Sequence, residues 1–173
     1  MQINGKSVPF ASSPNFTAGK NRKPLIIVLH STGAAGATAF QGAISWLRNP
    51  DSKASAHYVV NRDGAMVQLV QTADIAWHAG VAKWKNYINV NKISIGIEQV
   101  HLDGVGDWPD TQIQAVAALC ALLCRKWGIP TDNLHIVSHA SVARPVGRKV
   151  DPRAYPFDKF FAFLKIEMAK GIK

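Results

Sequence analysis

The sequence predicts an α/β fold, a single domain built on a central mixed β-sheet flanked by helices. Three observations predict it. Short β-favouring runs alternate with helix-patterned segments along the chain. The first run, Leu25 to Leu29, is continuous and long enough for a buried strand. The length of 173 residues is that of one domain, and residues 1–173 are read as one unit with no internal repeat or low-complexity linker.

The elements follow in order. Residues 1–23 are polar, carry Pro9, Pro14 and Gly19, and read as an extended N-terminal arm. The Leu25–Leu29 strand is broken by Gly33 to Gly36. Residues 38–48 place Phe40, Ile44 and Leu47 on one side of a short helix. His57 to Val60 and Met66 to Val70 flank an Asp63-Gly64 turn and predict a hairpin. Asp74 to Asn91, rich in Trp, Asn and Gly, reads as a long loop. Ile93 to Glu98 alternates in part and reads as a strand. Ile113, Val116, Leu119, Cys120, Leu123 and Trp127 form the stripe of the clearest helix, with Asp110 or Thr111 as its cap and Gly128 and Pro130 as its end. Leu134 to Val137 is a further strand, and 140–156 a loop. Residues 157–170 place Phe157, Phe160, Phe161, Leu164 and Met168 on one face of a C-terminal helix.

Composition narrows the class. A hydrophobic fraction of 47% against 18% charged residues fits a packed globule. No apolar run approaches the roughly 18 residues of a membrane span. MQINGKSVPF has no apolar core of a secretory signal, so synthesis in the cytoplasm is expected. The net charge of +9 favours polyanionic partners: nucleic acid, anionic lipid or an anionic wall polymer. No helix-turn-helix, zinc-finger or RNA-binding signature is present, so specific nucleic-acid binding is not expected. Cys120 and Cys124 read as small core residues, without a disulfide framework.

The chemistry-bearing residues sit at strand ends. His30 closes the first strand run and His139 follows the Leu134–Val137 run, with Asp151 twelve residues further on. Two imidazoles and a carboxylate suit Zn²⁺ with a fourth position open. They are far apart in sequence, and scattered histidines in a basic protein are the alternative. Glu98, at the tip of its strand, can serve as a general base beside a metal or be an ordinary exposed strand-end carboxylate. Lys149 lies two residues before Asp151, so in an extended segment both point the same way. It can stabilise an oxyanion or be a solvated loop lysine. Trp77 and His78, with Trp84 and Tyr87 behind them, line a groove or anchor the loop. His57 reads as a packing residue of its strand.

Taken in order, Ser13-Pro14-Asn15-Phe16, Ile26 to Thr32, Ser55 to Gly64, Ala76 to Gly80, Ser94 to Glu98, Ser138-His139 and Arg148 to Pro152 resemble one family. The chain is similar to the zinc-dependent N-acetylmuramoyl-L-alanine amidases of the type 2 class. That class includes bacterial muropeptide amidases, phage lysozyme-amidases and animal peptidoglycan recognition proteins. The resemblance implies a zinc cleft at the strand ends, with His30, His139 and Asp151 as ligands to one Zn²⁺. It implies Glu98 as the acidic catalytic residue and Lys149 as the group that stabilises the tetrahedral intermediate. Ala56 and Asp151 stand where the phage lysozyme and animal branches have tyrosine and cysteine, which places this chain with the Glu/Asp branch. Ser31, Thr32, Arg62, Trp77 and His78 are the implied groove residues. Ser138, Arg153 and Val142 to Pro145 depart from the family pattern around the second histidine.

The resemblance implies hydrolysis of the amide between N-acetylmuramic acid and L-alanine, with peptidoglycan or muropeptides as partners. The expected role is a bacteriolytic phage endolysin, released to the wall with a holin. The alternatives are a cytosolic recycling amidase and a non-catalytic peptidoglycan-binding protein. A monomer is expected, with at most weak contact between the lysine-rich C-terminal helix and anionic membrane.

Overall fold

The computed structural model describes residues 2–3 and 5–170. Its centre is a five-stranded sheet made from β4 (Ile26–Ser31), β5 (Tyr58–Val60), β6 (Met66–Gln68), β8 (Ser94–Gln99) and β9 (Ile136–Ser138). Their order across the sheet is β6-β5-β8-β4-β9, with β6 antiparallel and every other pair parallel. Two small antiparallel pairs precede or flank it: β1 (Gln2–Ile3) with β2 (Lys6–Ser7), and β3 (Phe16–Thr17) with β7 (Ile75–Ala76). The helices are α1 (Ala39–Arg48), α2 (Asp110–Trp127), the single turn α3 (His139–Val142) and α4 (Phe157–Ala169).

Strand periodicity divides the sheet into two faces. Ile27 and Leu29 of β4, Ile95 and Ile97 of β8, and Tyr58 and Val60 of β5 pack with the apolar stripe of α2 and with Phe160 and Leu164 of α4. Ile26 and Val28 face the other way, where Ala79, Ala82, Val90 and Val142 cover them. Val59 shares that second face with Ile44 and Leu47 of α1. Burial on both faces explains why β4 is a continuous apolar run. The second face also receives the next residue of the same parity, His30, and its register partner on β8 is Glu98. The site therefore opens at the carboxyl ends of parallel strands, where an α/β sheet leaves a crevice.

Several boundaries differ from the sequence expectation for local physical reasons. Strand β4 runs on through His30 and Ser31, because both residues keep their pairing with β8. Strand β9 starts two residues late. Asp132 Oδ1 accepts the backbone N–H groups of Leu134 and His135, which holds both in a turn. Helix α2 has Pro109 at its N-cap with no side-chain cap; Thr111 Oγ1 donates to the Arg62 carbonyl instead. Its end is as expected: Gly128 is left-handed with φ 69° and donates its N–H to Cys124 O.

Residues 5–23 run largely extended and are tied to the body. Ile3 and Val8 are buried in the α2 core. Asn15 Nδ2 reaches Asn49 O, Ser52 Oγ and Ala54 O at 2.8–3.0 Å. Arg22 is enclosed, and its guanidinium donates to the carbonyls of Thr72, Asp74, Lys92 and Ser94. Cys120 and Cys124 are free and buried. The apolar face of α4 is docked on α2, and among the described residues no helix is long and apolar enough to cross a membrane.

Candidate metal centre

Two adjacent strand ends and one loop bring the site together. His30 is inside β4, His139 opens α3 directly after β9, and Asp151 lies in the segment that follows α3. One donor atom from each lies within 4.8 Å of the others. The inward atoms are Nδ1 of both histidines: His139 Nδ1 is 3.1 Å and His30 Nδ1 3.4 Å from Asp151 Oδ2. Both imidazoles are buried and their ring centroids are 4.4 Å apart. Two nitrogens and one carboxylate oxygen, converging with side-chain mobility already removed, fit a zinc ion with a position left open.

The electrostatics suit a cation. Burial pushes the His30 pKa down to about 4, against the Asp151 hydrogen bond that raises it, so the ring is neutral near pH 7. Burial works against the charge of Asp151, but its bonds to His139 and His30 hold its carboxyl well below the usual carboxylate range. Neutral imidazole and ionised carboxylate are the protonation states that bind metal.

Glu98 stands beside the cluster, with Oε1 4.0 Å from His30 Nδ1 and its side chain 17% exposed. Desolvation first, and the Asp151 charge second, push its pKa up to about 8. Its other oxygen, Oε2, is buried with no hydrogen-bond partner among the described residues. Lys149 is exposed, and its positive charge is felt at both His30 and Glu98.

The expected groove residues separate into two sets. Ser31 and Thr32 continue β4 past the ligand, and Ser31 Oγ donates to Asp103 Oδ1 at 2.5 Å. Arg62 is on the β5–β6 turn and reaches Asp107 O of the same 101–109 loop. Ser31 and Arg62 thus both bond the 101–109 loop, whereas Thr32 Oγ1 is buried with no hydrogen-bond partner among the described residues. Trp77 is half-buried and donates its indole N–H to Thr17 Oγ1. His78 is behind His30: its Nδ1 is 2.9 Å from His30 Nε2 and its Nε2 3.0 Å from Ser94 Oγ. Its ring packs against Gly96, where an added Cβ would come 2.4 Å from His78 Cγ. His57 is fully buried, accepting from Gly96 N–H and bonding Asp74 O, outside the metal cluster.

Sequence reasoning missed Asn91, Arg148 and Asp103. Asn91 Oδ1 accepts the N–H groups of His78 and Ala79. Arg148 donates to Ala79 O and Val81 O. Asp103 accepts from Ser31 and from Arg153 N–H. None has a periodic signal. Gly96 did carry one, because glycine inside a strand marks a close approach.

Comparison with known proteins identifies the family. The family model described as N-acetylmuramoyl-L-alanine amidase matches residues 20–154. The chain is 28% identical to the 1,6-anhydro-N-acetylmuramyl-L-alanine amidase AmpD of Salmonella typhimurium, over 97% of this chain and 94% of that protein. It is 33% identical to N-acetylmuramoyl-L-alanine amidase A of Achromobacter lyticus, over 69% of this chain and 61% of that longer protein. Among solved structures, a selenomethionine AmpD derivative superposes with TM-score 0.74 at 28% identity, covering 91% of this chain and 94% of that one. A mutant endolysin from Bacillus subtilis gives TM-score 0.64 at 26% identity, covering 91% and 98%. With most of its length matched by the family model and its fold shared with these structures, the chain belongs to the N-acetylmuramoyl-L-alanine amidase family and is an amidase of that type.

Proposed function

We propose that the chain cleaves the amide between N-acetylmuramic acid and L-alanine with one Zn²⁺ held by His30, His139 and Asp151. The observation that carries this reading is the convergence of those three donors, with the second carboxylate, Glu98, at the register position beside His30. When bound, Zn²⁺ supplies a Lewis acid that polarises the scissile carbonyl and eases deprotonation of a water.

The other steps belong to side chains of this chain. Glu98 takes the proton of the attacking water on Oε1, the oxygen that faces the ligand cluster 4.0 Å from His30 Nδ1. It then returns a proton to the nitrogen of L-alanine as the C–N bond breaks. Lys149 places positive charge near the carbonyl oxygen as negative charge develops there. Ser31, Thr32 and Arg62 contact substrate, and Trp77 supports the wall of the cleft.

We place this activity on intact wall, as in an endolysin. The charge of +9 suits an anionic wall polymer, and the fold is shared with the Bacillus subtilis endolysin. A second reading is recycling of soluble fragments. The match along 94% of the Salmonella enzyme, whose name specifies a 1,6-anhydro substrate, favours it. One experiment tests both: digestion of purified sacculi and of soluble anhydro-muropeptides, with and without chelator, followed by mass spectrometry. Stem peptides starting at L-alanine, lost with chelator and restored by Zn²⁺, are expected from sacculi. Release from soluble fragments alone favours recycling. Release from neither refutes the catalytic reading.

A further inference from the structure

We propose that His78 and Ala79 form one positioning clamp that fixes both ligand histidines with their Nδ1 lone pairs turned to the metal; this rests on the metal reading above. His78 is then a positioning residue, and it takes no part in contacting substrate.

The assignment follows from a chain of donors with a fixed end. The Val90 carbonyl can only accept, and Ser94 Oγ donates to it at 2.7 Å. The single Ser94 proton is thereby used, so Ser94 Oγ accepts from His78 Nε2 at 3.0 Å. A neutral imidazole protonated on Nε2 has a lone pair on Nδ1. That lone pair accepts His30 Nε2–H at 2.9 Å. His30 is left with a lone pair on Nδ1, the nitrogen facing Asp151. His139 reaches the same state in one step, donating Nε2–H to Ala79 O at 3.1 Å. Two adjacent residues of one loop thus set the tautomer of both rings.

The clamp is itself held. Asn91 Oδ1 takes the N–H of His78 at 3.2 Å and that of Ala79 at 2.8 Å. Arg148 shares the Ala79 carbonyl with His139 and also bonds Val81 O. Gly96 lets the His78 ring lie against β8. With the outer nitrogens donating, an ion would meet two Nδ1 lone pairs and Asp151 Oδ2, replacing the hydrogen bonds that the Nδ1 atoms otherwise make to Asp151.

The test compares full-length wild type with His78→Ala, His78→Asn and Ser94→Ala. Zinc affinity is measured by competition with a chromophoric chelator, and apo stability by thermal unfolding. Imidazole ¹⁵N–¹H correlation spectra of the zinc-loaded protein report which ring nitrogen is protonated. His78→Ala should bind zinc about 10–100-fold more weakly. His78→Asn, which keeps an acceptor near the Nδ1 position, should recover part of that loss. Wild type should show His30 and His139 protonated on Nε2 and coordinated through Nδ1. If His78→Ala does not fold, Ser94→Ala breaks the same chain and should weaken zinc binding several-fold. Unchanged affinity in the folded variants, or a fall in apo stability alone, overturns the clamp. Coordination of His30 through Nε2 overturns it too. A wild type that binds no zinc overturns the metal reading instead, and is recognisable because the variants then do not differ from it.

Discussion

Gly96→Ala tests the packing beneath the site. Gly96 is in the middle of β8, opposite Val28 of β4. A Cβ there would stand 2.4 Å from His78 Cγ and 2.7 Å from both Cδ2 and Nδ1. Ordinary carbon contacts are about 3.5–4.0 Å, so the ring must retreat by about 1 Å. It has little room, because its two nitrogens are already held at 2.9 Å to His30 and 3.0 Å to Ser94. Overpacking of this kind costs about 1–3 kcal/mol, and a ring locked at both nitrogens belongs at the upper end. In a chain of this size each kcal/mol lowers Tm by about 2–4 °C, so a fall of about 4–10 °C is expected. Differential scanning calorimetry of the zinc-free protein measures it. The pair Gly96→Ala/His78→Ala removes the obstructing ring and should lose little more than His78→Ala alone. An unchanged Tm for Gly96→Ala, or a double variant that loses the full sum of the two singles, would refute the close approach.

Three further outcomes are expected. Glu98→Gln removes the proton acceptor and leaves the ligands in place; kcat should fall about 10²–10⁴-fold with zinc content unchanged by elemental analysis, and near-normal turnover would dismiss Glu98 as the base. Lys149→Ala should lower kcat by about 10²-fold with little change in KM, whereas a change in KM alone would make Lys149 a binding residue. His57 is fully buried, and desolvation, helped by Arg22, depresses its pKa from 6.5 to about 3. The unfolded chain takes up that proton first, so the folded state is favoured fully above pH 6.5 and loses stability as pH falls towards 3. The slope from this one group is about 1.4 kcal/mol per pH unit. Chemical denaturation of the zinc-free protein at several pH values, with His57→Gln for comparison, checks it; equal slopes would remove His57 as the cause.

The parts of the fold that are legible in sequence are those written in local pattern. The Leu25–Leu29 run announces a strand buried on both faces, and the 113–127 stripe announces α2, with Gly128 ending it. The alternation of Ile95, Ile97 and Glu98 points Glu98 away from the α2 core, as the structure has it. The metal cluster is legible only through the ordered family motifs. Its members stand at positions 30, 139 and 151, and parallel pairing of β4 with β9 is what joins the two histidines. The place of His78 was not legible. A Trp-His-Ala-Gly segment reads equally as groove wall or as support until the strand beneath it is known, and Gly96 is the one local trace of that contact. Boundaries set by side-chain-to-backbone bonds, such as the Asp132 turn before β9, were hidden for the same reason.

The wide separation of the three donors along the chain has a thermodynamic consequence. His30 and Asp151 come together only when the sheet has formed, so the unfolded chain offers no preformed pocket and a metal would bind the folded state alone. An ion held there would bridge the first sheet strand to the segment before α4, closing most of the polypeptide into a loop. Both cysteines are free, so nothing covalent does this. The ion would act as a reversible cross-link whose strength is set by its free concentration: at about a hundredfold excess over Kd it would add about 2.7 kcal/mol. Metal supply would then govern how long the protein survives as well as how fast it works.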